Sequence, residues 1–593
     1  MKSNNSIEFP KLLFIKIFEY LQYNYESSKS YDNYSNKFKI YKLIRLLNRE
    51  YRDTVAQKFR YRFLVAGNDS MKSLLSLQCD DMEMANVTMH LHETVLNSWR
   101  KHKDRLLPLI NRLYVGTSPD ALGDFKNSSS LVFASVPNYN ALQSPFPECK
   151  DTLDSLHITV SKQYDMQVFS EIYKNYMQLN SLKFGGFNLK CVLENFQSIT
   201  LLTTLNTLYL YSVKIKQSDI VYVVNTSKCI NTLVLDMIEI QNENIFNMTG
   251  VDDIIDALAT SKVITTFEFN NLSSSYVLTI TLKSLVSMLN RNSTLKHLVL
   301  EYMVLTKPSI IVNQEDFSIY NNTLVSLRTP ATSILIELTK YYGGLEFHWN
   351  SNSNLKSLNF HVHKSNPFLS SIKSNYHHFS IHTLYYYHLE TGIRDKEWEF
   401  LIPILEMKIP TLSTLLIHSR NSTLDKESVT ILFESIANCQ TLTTLDIKVA
   451  IPSDNALKFI AFNLPHIQNL YLNISCQKYK FFQNLGESLF NNTSISVLSI
   501  GDMECHIPVQ LFIPSLITWV NHTHLTSLTI ATNYEIPQIF SDIDQLYTEY
   551  KNALECNLYH LRNLKFTSMA GGPHHQKLTK FDQLLHKFFL YEN

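Results

Sequence analysis

Histidine offers this chain its densest grouping of reactive side chains, with His361, His363, His377, His378, His382 and His388 in one stretch. HxH and HH spacings can hold zinc. No thiol stands beside them, however, and His92-Glu93 lacks the second histidine of an HExxH site. The eight cysteines fall at 79, 149, 191, 229, 439, 476, 505 and 556, too far apart for a CxxC pair. Neither a disulfide framework nor a thiolate zinc site is expected. No GxSxG, GxGxxG or GxxxxGK occurs, and 13 glycines in 593 residues leave little for a phosphate loop. The reading is a non-enzymatic chain with no catalytic residues, no metal and no cofactor.

Charge narrows the partners. Lys+Arg and Asp+Glu both number 53, which gives no overall basic field for nucleic acid or an anionic membrane. Lys11, Lys16 and Glu19 interrupt the N-terminal apolar stretch, unlike a secretory signal. No run of about 18 apolar residues reads as membrane-spanning. Cytosol or nucleus is the expected location. A basic run from Lys37 to Arg62 reads as a solvated helix face, with an acidic partner surface as the other reading.

The elements that must position any site follow one six-residue pattern, apolar-x-x-apolar-x-apolar. It recurs sixteen times, beginning at 110, 153, 179, 205, 230, 264, 295, 324, 355, 381, 412, 442, 467, 495, 525 and 561. The mean spacing of about 30 residues means a stacked array in which no unit buries its apolar face alone. Leu295-x-x-Leu298-x-Leu300 ends in the period-2 alternation of a short strand, and Leu282, Leu285, Met288 and Leu289 precede it at helical spacing. Each unit is then a helix, a turn and a strand. Successive strands must be parallel, because a helix crosses between them.

This pattern resembles leucine-rich repeats of the ribonuclease-inhibitor-like type, with an Asn-x-Thr-Leu approach to the strand. Asn292-Ser-Thr-Leu295, Asn321-Asn-Thr-Leu324 and Asn491-Asn-Thr-Ser-Ile495 carry it. The resemblance implies an α/β leucine-rich-repeat solenoid, a curved parallel sheet with helices on its convex side. The chain departs from the family three residues past the strand. Asn or Cys is usual there, whereas this chain has Phe187, Val213, Ile238, Leu272 and Met303. Those loops must satisfy their backbone in another way. Residues 116–150, with Pro119, Pro137, Pro145 and Pro147, read as a long surface loop.

Residues 1–65 break the repeat. Phe9-Pro10, Leu13-Phe14, Ile17-Phe18 and Leu21 lie at helical spacing, and Leu46-Leu47-Asn48-Arg49-Glu50-Tyr51-Arg52 follows after a polar insertion. The two blocks resemble an F-box, with Phe9, Leu12 and Tyr51 standing where Leu, Glu and Trp are usual. The implied organisation is an F-box-like helical domain at 1–65, a helical linker or cap at 66–105, the solenoid at 106–570 and a capping helix at 571–593. The implied partner is a Skp1-like adaptor bound through Phe9, Pro10, Leu13, Phe14, Ile17, Phe18 and Leu21. The implied role is substrate recognition for a Skp1-cullin-F-box type ubiquitin ligase, with an unidentified protein substrate held on the repeats. The alternative is a repeat scaffold with no ligase link, its N-terminal helices only capping the array. A GTPase-activating repeat protein would need a catalytic Arg that nothing singles out.

The fifth position of the pattern points away from the core, onto the concave strand-lined face. Tyr209, Glu268, Arg328, Tyr385, Asp446 and Tyr471 occupy it and are the candidate substrate-binding residues, alongside His157 and Lys183. The third position is mostly Ser or Thr, which suits a solvated parallel sheet.

Overall fold

The structure is a computed structural model. It describes residues 61–65, 67–75, 85–91, 93–115, 131–136, 152–160, 165–166, 172, 176–186, 191–241, 248–270, 277–301, 303–306, 318–328, 348–349, 354–361, 381–388, 401–423, 426–462, 464, 466–475, 484–485, 487–489, 491–508, 524–535, 548 and 563–567. Phe9 to Leu21, the Leu46–Arg52 block and the expected capping helix at 571–593 lie outside the described residues. The chain divides into two compact units, one formed by 1–249, 261–276 and 592–593, the other by 250–260 and 277–591.

In the first unit nine strands run parallel, each paired with the next in chain order. They are β1 (Tyr61–Val65), β2 (Ala85–Leu91), β3 (Ile110–Val115), β4 (Phe133–Val136), β5 (Ser155–Val160), β6 (Ser181–Gly186), β7 (Thr207–Tyr211), β8 (Thr232–Asp236) and β9 (Thr266–Asn270). The register puts equal pattern positions opposite one another. Leu156, Leu182, Leu208, Leu233 and Phe267 therefore form one buried column, and Ile158, Phe184, Leu210, Leu235 and Phe269 a second. Burying such side chains contributes roughly 1.5–3 kcal/mol each, which a single five-residue strand could not collect alone.

The second unit repeats the scheme with β10 (His297–Glu301), β11 (Ser326–Arg328), β12 (Ser357–His361), β13 (Thr383–His388), β14 (Thr414–Thr423), β15 (Thr444–Pro452), β16 (Asn469–Ser475), β17 (Val497–Pro508), β18 (Ser527–Glu535) and β19 (Asn563–Thr567). The helix Leu282–Arg291 turns Leu282, Leu285, Met288 and Leu289 inward, as their spacing predicts. Thr281 caps its N-terminus by accepting from the Ser284 N–H. Each unit is an α/β array built on one stack of parallel strands in chain order.

Two sequence expectations need correcting. The sheet begins before 106: β1 and β2 are strands where a helical end and a helical linker were expected. Met84-Ala-Asn-Val87-Thr-Met89 does carry the pattern, and it is followed by the helix Glu93–Leu106. The stretch 116–150 is also not wholly loop. Leu131 and Ala134 are buried, and β4 pairs with both neighbours. A small alanine in the fourth position and a short spacing concealed that unit.

The loops after the strands answer the missing Asn or Cys with a second ladder. Asp165–Met166, Cys191–Leu193, Val213–Lys216 and Glu239–Gln241 pair in parallel, so their backbone groups bond to one another. Ser212 and Met237 take positive φ (53° and 51°) at the corner between the ladders. Val213 and Ile238 are buried there, and Met303 is buried in the equivalent ladder of the second unit, where Met303–Thr306 pairs with Val277–Thr281.

The turn before each strand is held by the residue three before the first apolar position. Asn292 Oδ1 accepts from the Thr294 and Leu295 N–H groups (2.8 and 2.7 Å), while its Nδ2 donates to Leu258 O (2.6 Å) in the preceding helix, Asp252–Thr260. Asn321 repeats this geometry. Ser227 and Ser261 supply a hydroxyl acceptor instead, and Leu202 and Leu464 a backbone carbonyl. A ladder of hydroxyls completes the turns: Thr411, Thr441, Thr443, Ser494 and Thr526 each donate to a carbonyl of the preceding unit.

The Asn491-Asn492 pair tests this directly, because only Asn492 lies three residues before Ile495. It is 5% exposed, accepts from the Ser494 and Ile495 N–H groups and donates to Ile460 O. Exposed Asn491 reaches only Glu487 O in its own helix. Asn492→Ala should destabilise the second unit by about 2 kcal/mol, since it strands buried backbone groups. Asn491→Ala should change stability by less than about 0.5 kcal/mol. Urea denaturation of the two variants against the parent checks the difference.

Candidate recognition surfaces

Among the described side chains the apolar fourth and sixth positions face the core, so the third, fifth and seventh positions face the opposite way. The register then joins the fifth positions into a row within each unit. In the first it reads Tyr114, Ser135, His157, Lys183, Tyr209, Val234, Glu268. In the second it reads Val299, Arg328, Asn359, Tyr385, Leu416, Asp446, Tyr471, Ser499, Thr529, Lys565. All six predicted substrate-binding residues stand in these rows. Tyr209 and Glu268 belong to the first, and Arg328, Tyr385, Asp446 and Tyr471 to the second.

In the first unit the row builds a cluster around Lys183. The Lys183 Nζ lies 4.3 Å from the Tyr209 ring centroid and 5.1 Å from that of Tyr211. The two rings are 6.0 Å apart. Tyr209 donates its hydroxyl hydrogen bond to Asp236 Oδ2 at 2.6 Å. Burial and that acceptor raise the Tyr209 phenol well above its ordinary value, so it stays protonated and its ring orientation is fixed. Tyr211 leans back over β6. Its hydroxyl lies 2.5 Å from Thr159 Oγ1 and 3.3 Å from His157 Nε2, and Ser135 Oγ lies 3.3 Å from His157 Nδ1.

Gly185 makes that reach feasible. A Cβ at 185 would lie 2.3 Å from the Tyr211 ring and 2.4 Å from the Tyr211 carbonyl oxygen. The ring occupies the space that any other residue's side chain would fill. Burial, with the Lys183 charge adding to it, lowers the His157 pKa from 6.5 to about 4. His157 is thus neutral near pH 7 and serves as a hydrogen-bonding brace.

The second unit builds a different cluster, one neutralised from within. The Tyr385 hydroxyl is hydrogen-bonded to His418 Nδ1, and His418 Nε2 lies 3.2 Å from Asp446 Oδ2. Lys448 Nζ reaches the same carboxylate oxygen at 3.8 Å. Arg328 pairs with Glu301 at 2.8 Å, its guanidinium carbon 5.9 Å from the Tyr385 ring centroid. The order hydroxyl, imidazole, carboxylate also occurs in hydrolase triads. Here the hydroxyl is a phenol, whose delocalised oxygen is a weak nucleophile, and the physical effect is to clamp the Tyr385 ring upright. Tyr471, 37% exposed, stands beside Asp446 in the row.

Sequence reasoning missed Tyr211, Asp236, His418 and Thr159, which sit at the seventh position or one residue beyond the pattern. The period-2 alternation of β5 to β8 would have found Thr159, Gly185, Tyr211 and Asp236 if extended by two residues. Of the histidine stretch, the described residues are His361, His382 and His388. His382 is exposed, and among the described residues no group of three His, Cys, Asp or Glu could hold a metal ion.

Two changes probe the first cluster. Gly185→Ala should destabilise the first unit by about 2 kcal/mol, because Tyr211 and its backbone must move. Stability should also fall as pH drops from about 6.5 toward 4, since the unfolded chain then takes up a proton that folded His157 refuses. The contribution is complete above 6.5. His157→Gln should flatten that fall, as read by denaturant midpoints at pH 7 and pH 5.

No family model matches the chain, and no curated protein does. Among solved structures it is similar to an internalin from Listeria monocytogenes, at 15% identity over 74% of this chain and 82% of that one, with a TM-score of 0.25. Among the described residues no helix is long and apolar enough to cross a membrane.

Proposed function

We propose that this chain is a non-enzymatic protein-recognition platform, and that it serves as the substrate-recognition adaptor of a Skp1-cullin-F-box type ubiquitin ligase. The observation that supports recognition is the register row. Rigid Tyr, Arg, Lys and acidic side chains from successive strands stand side by side about 4.8 Å apart, on the face left free of apolar packing. Tyr209, Tyr211 and Tyr385 are fixed by hydrogen bonds within the chain, so binding through them orders little that is not ordered already. Such a surface reads a partner's shape and charge without doing chemistry on it.

Support for the ligase link comes from the sequence ahead of the sheet. Phe9, Pro10, Leu13, Phe14, Ile17, Phe18 and Leu21 place large apolar groups at helical spacing outside the repeat pattern. A partner helix bundle would bury them, as Skp1 buries an F-box. The strand β1 already starts at Tyr61, so truncation to 65 would damage the sheet, and point changes are the sound probe.

Purified Skp1 should be captured by the full-length chain and lost with Pro10→Asp combined with Leu13→Asp. The double variant should keep the denaturation midpoint of the parent. If intact chain does not hold Skp1, the adaptor role falls and the repeat scaffold without a ligase link takes its place.

A further inference from the structure

Lys183 differs from the other described cations near these faces. Lys214 lies 2.7 Å from Glu239, Arg328 2.8 Å from Glu301 and Lys448 3.8 Å from Asp446. Lys183 is half-buried, and among the described residues no carboxylate comes within ion-pair distance of it. Its neighbours are the Tyr209 and Tyr211 ring faces. Ring faces return about 1 kcal/mol to a cation, less than a buried counter-ion would.

The surroundings also have a direction. Toward β3, the row offers the neutral side chains His157, Ser135 and Tyr114. The acidic groups stand on the other side of Tyr209. There Asp236 already accepts the Tyr209 hydroxyl, and Glu268 lies two strands beyond that tyrosine. An anion arriving over β5 and β6 meets Lys183 and hydroxyl groups, and no carboxylate on those strands repels it.

We propose that Lys183, with the Tyr209 and Tyr211 rings beneath it, is the docking point for a Glu or Asp carboxylate carried by the protein partner of this face. The assignment rests on the recognition role proposed above and gives it a substrate class, an acidic peptide segment. The ammonium supplies the charge, and the braced rings hold it at a fixed height above the sheet. An acidic side chain would complete the ion pair that the fold leaves open.

Fluorescence anisotropy with full-length chain can test this, using a labelled Gly-Glu-Glu-Glu-Glu-Gly peptide and its glutamine counterpart at low salt. The glutamate peptide should bind more tightly than the glutamine peptide, with affinity falling as salt rises. Lys183→Met should weaken it about tenfold, the effect of losing one partly desolvated charge pair, and Lys183→Arg should retain it. On the unaltered protein, the glutamate peptide should protect the Lys183 amine from acylation by an N-hydroxysuccinimide ester, read by mass spectrometry. Equal binding of the two peptides, no binding of either, or unchanged Lys183 labelling overturns the assignment. In the last case the anion sits elsewhere, with the Lys37–Arg62 run as the obvious alternative. Capture of Skp1 does not involve Lys183, so its outcome separates failure of this inference from failure of the adaptor reading.

Discussion

Equal register between neighbouring parallel strands is the constraint on which everything else in each unit depends. Because Leu156 faces Leu182 and Leu182 faces Leu208, one leucine position becomes a continuous apolar column. The same register aligns the intervening positions on the other face. A slip of one residue would exchange the two sets, burying Lys183 and exposing Phe184. The core and the recognition row are therefore two consequences of one backbone arrangement.

What keeps the register is the chemistry of the turn before each strand. Asn292, Asn321 and Asn492 use both ends of their amides, one to close their own turn and one to hold a carbonyl near the end of a preceding helix. Serine can do the first half of that job, as Ser227 and Ser261 do. A backbone carbonyl substitutes where the residue is apolar. The shared requirement is an acceptor at a fixed place, not a residue type. This explains how the chain keeps a regular ladder while its sequence drifts from unit to unit.

The two recognition rows use similar residues to opposite electrostatic ends. Around Tyr385 the cations have internal partners: Lys448 faces Asp446 and Arg328 faces Glu301, while His418 bridges Tyr385 and Asp446. That surface offers a partner shape and hydrogen bonds more than net charge. Around Tyr209 the Lys183 cation stands over aromatic rings, and among the described residues no carboxylate lies within ion-pair distance of it. Gly185 matters to this second arrangement through the space it leaves, since Tyr211 can cross β6 only where no side chain stands.

The sequence by itself determined the repeat, the parallel sense of the strands and the face on which Tyr209, Glu268, Arg328, Tyr385, Asp446 and Tyr471 stand. A period-2 alternation inside a period of about 30 residues leaves few other ways to bury so many leucines. It left β1, β2 and β4 unread, the last because a short spacing and a small Ala134 weaken the pattern where neighbouring strands still complete it. Only the tertiary structure decided which side chains meet. Tyr211 reaches Thr159 across 52 residues of chain, and Tyr385 reaches His418 across 33. Contacts of that kind depend on strand adjacency and on a gap such as Gly185, and the one-dimensional pattern carries neither.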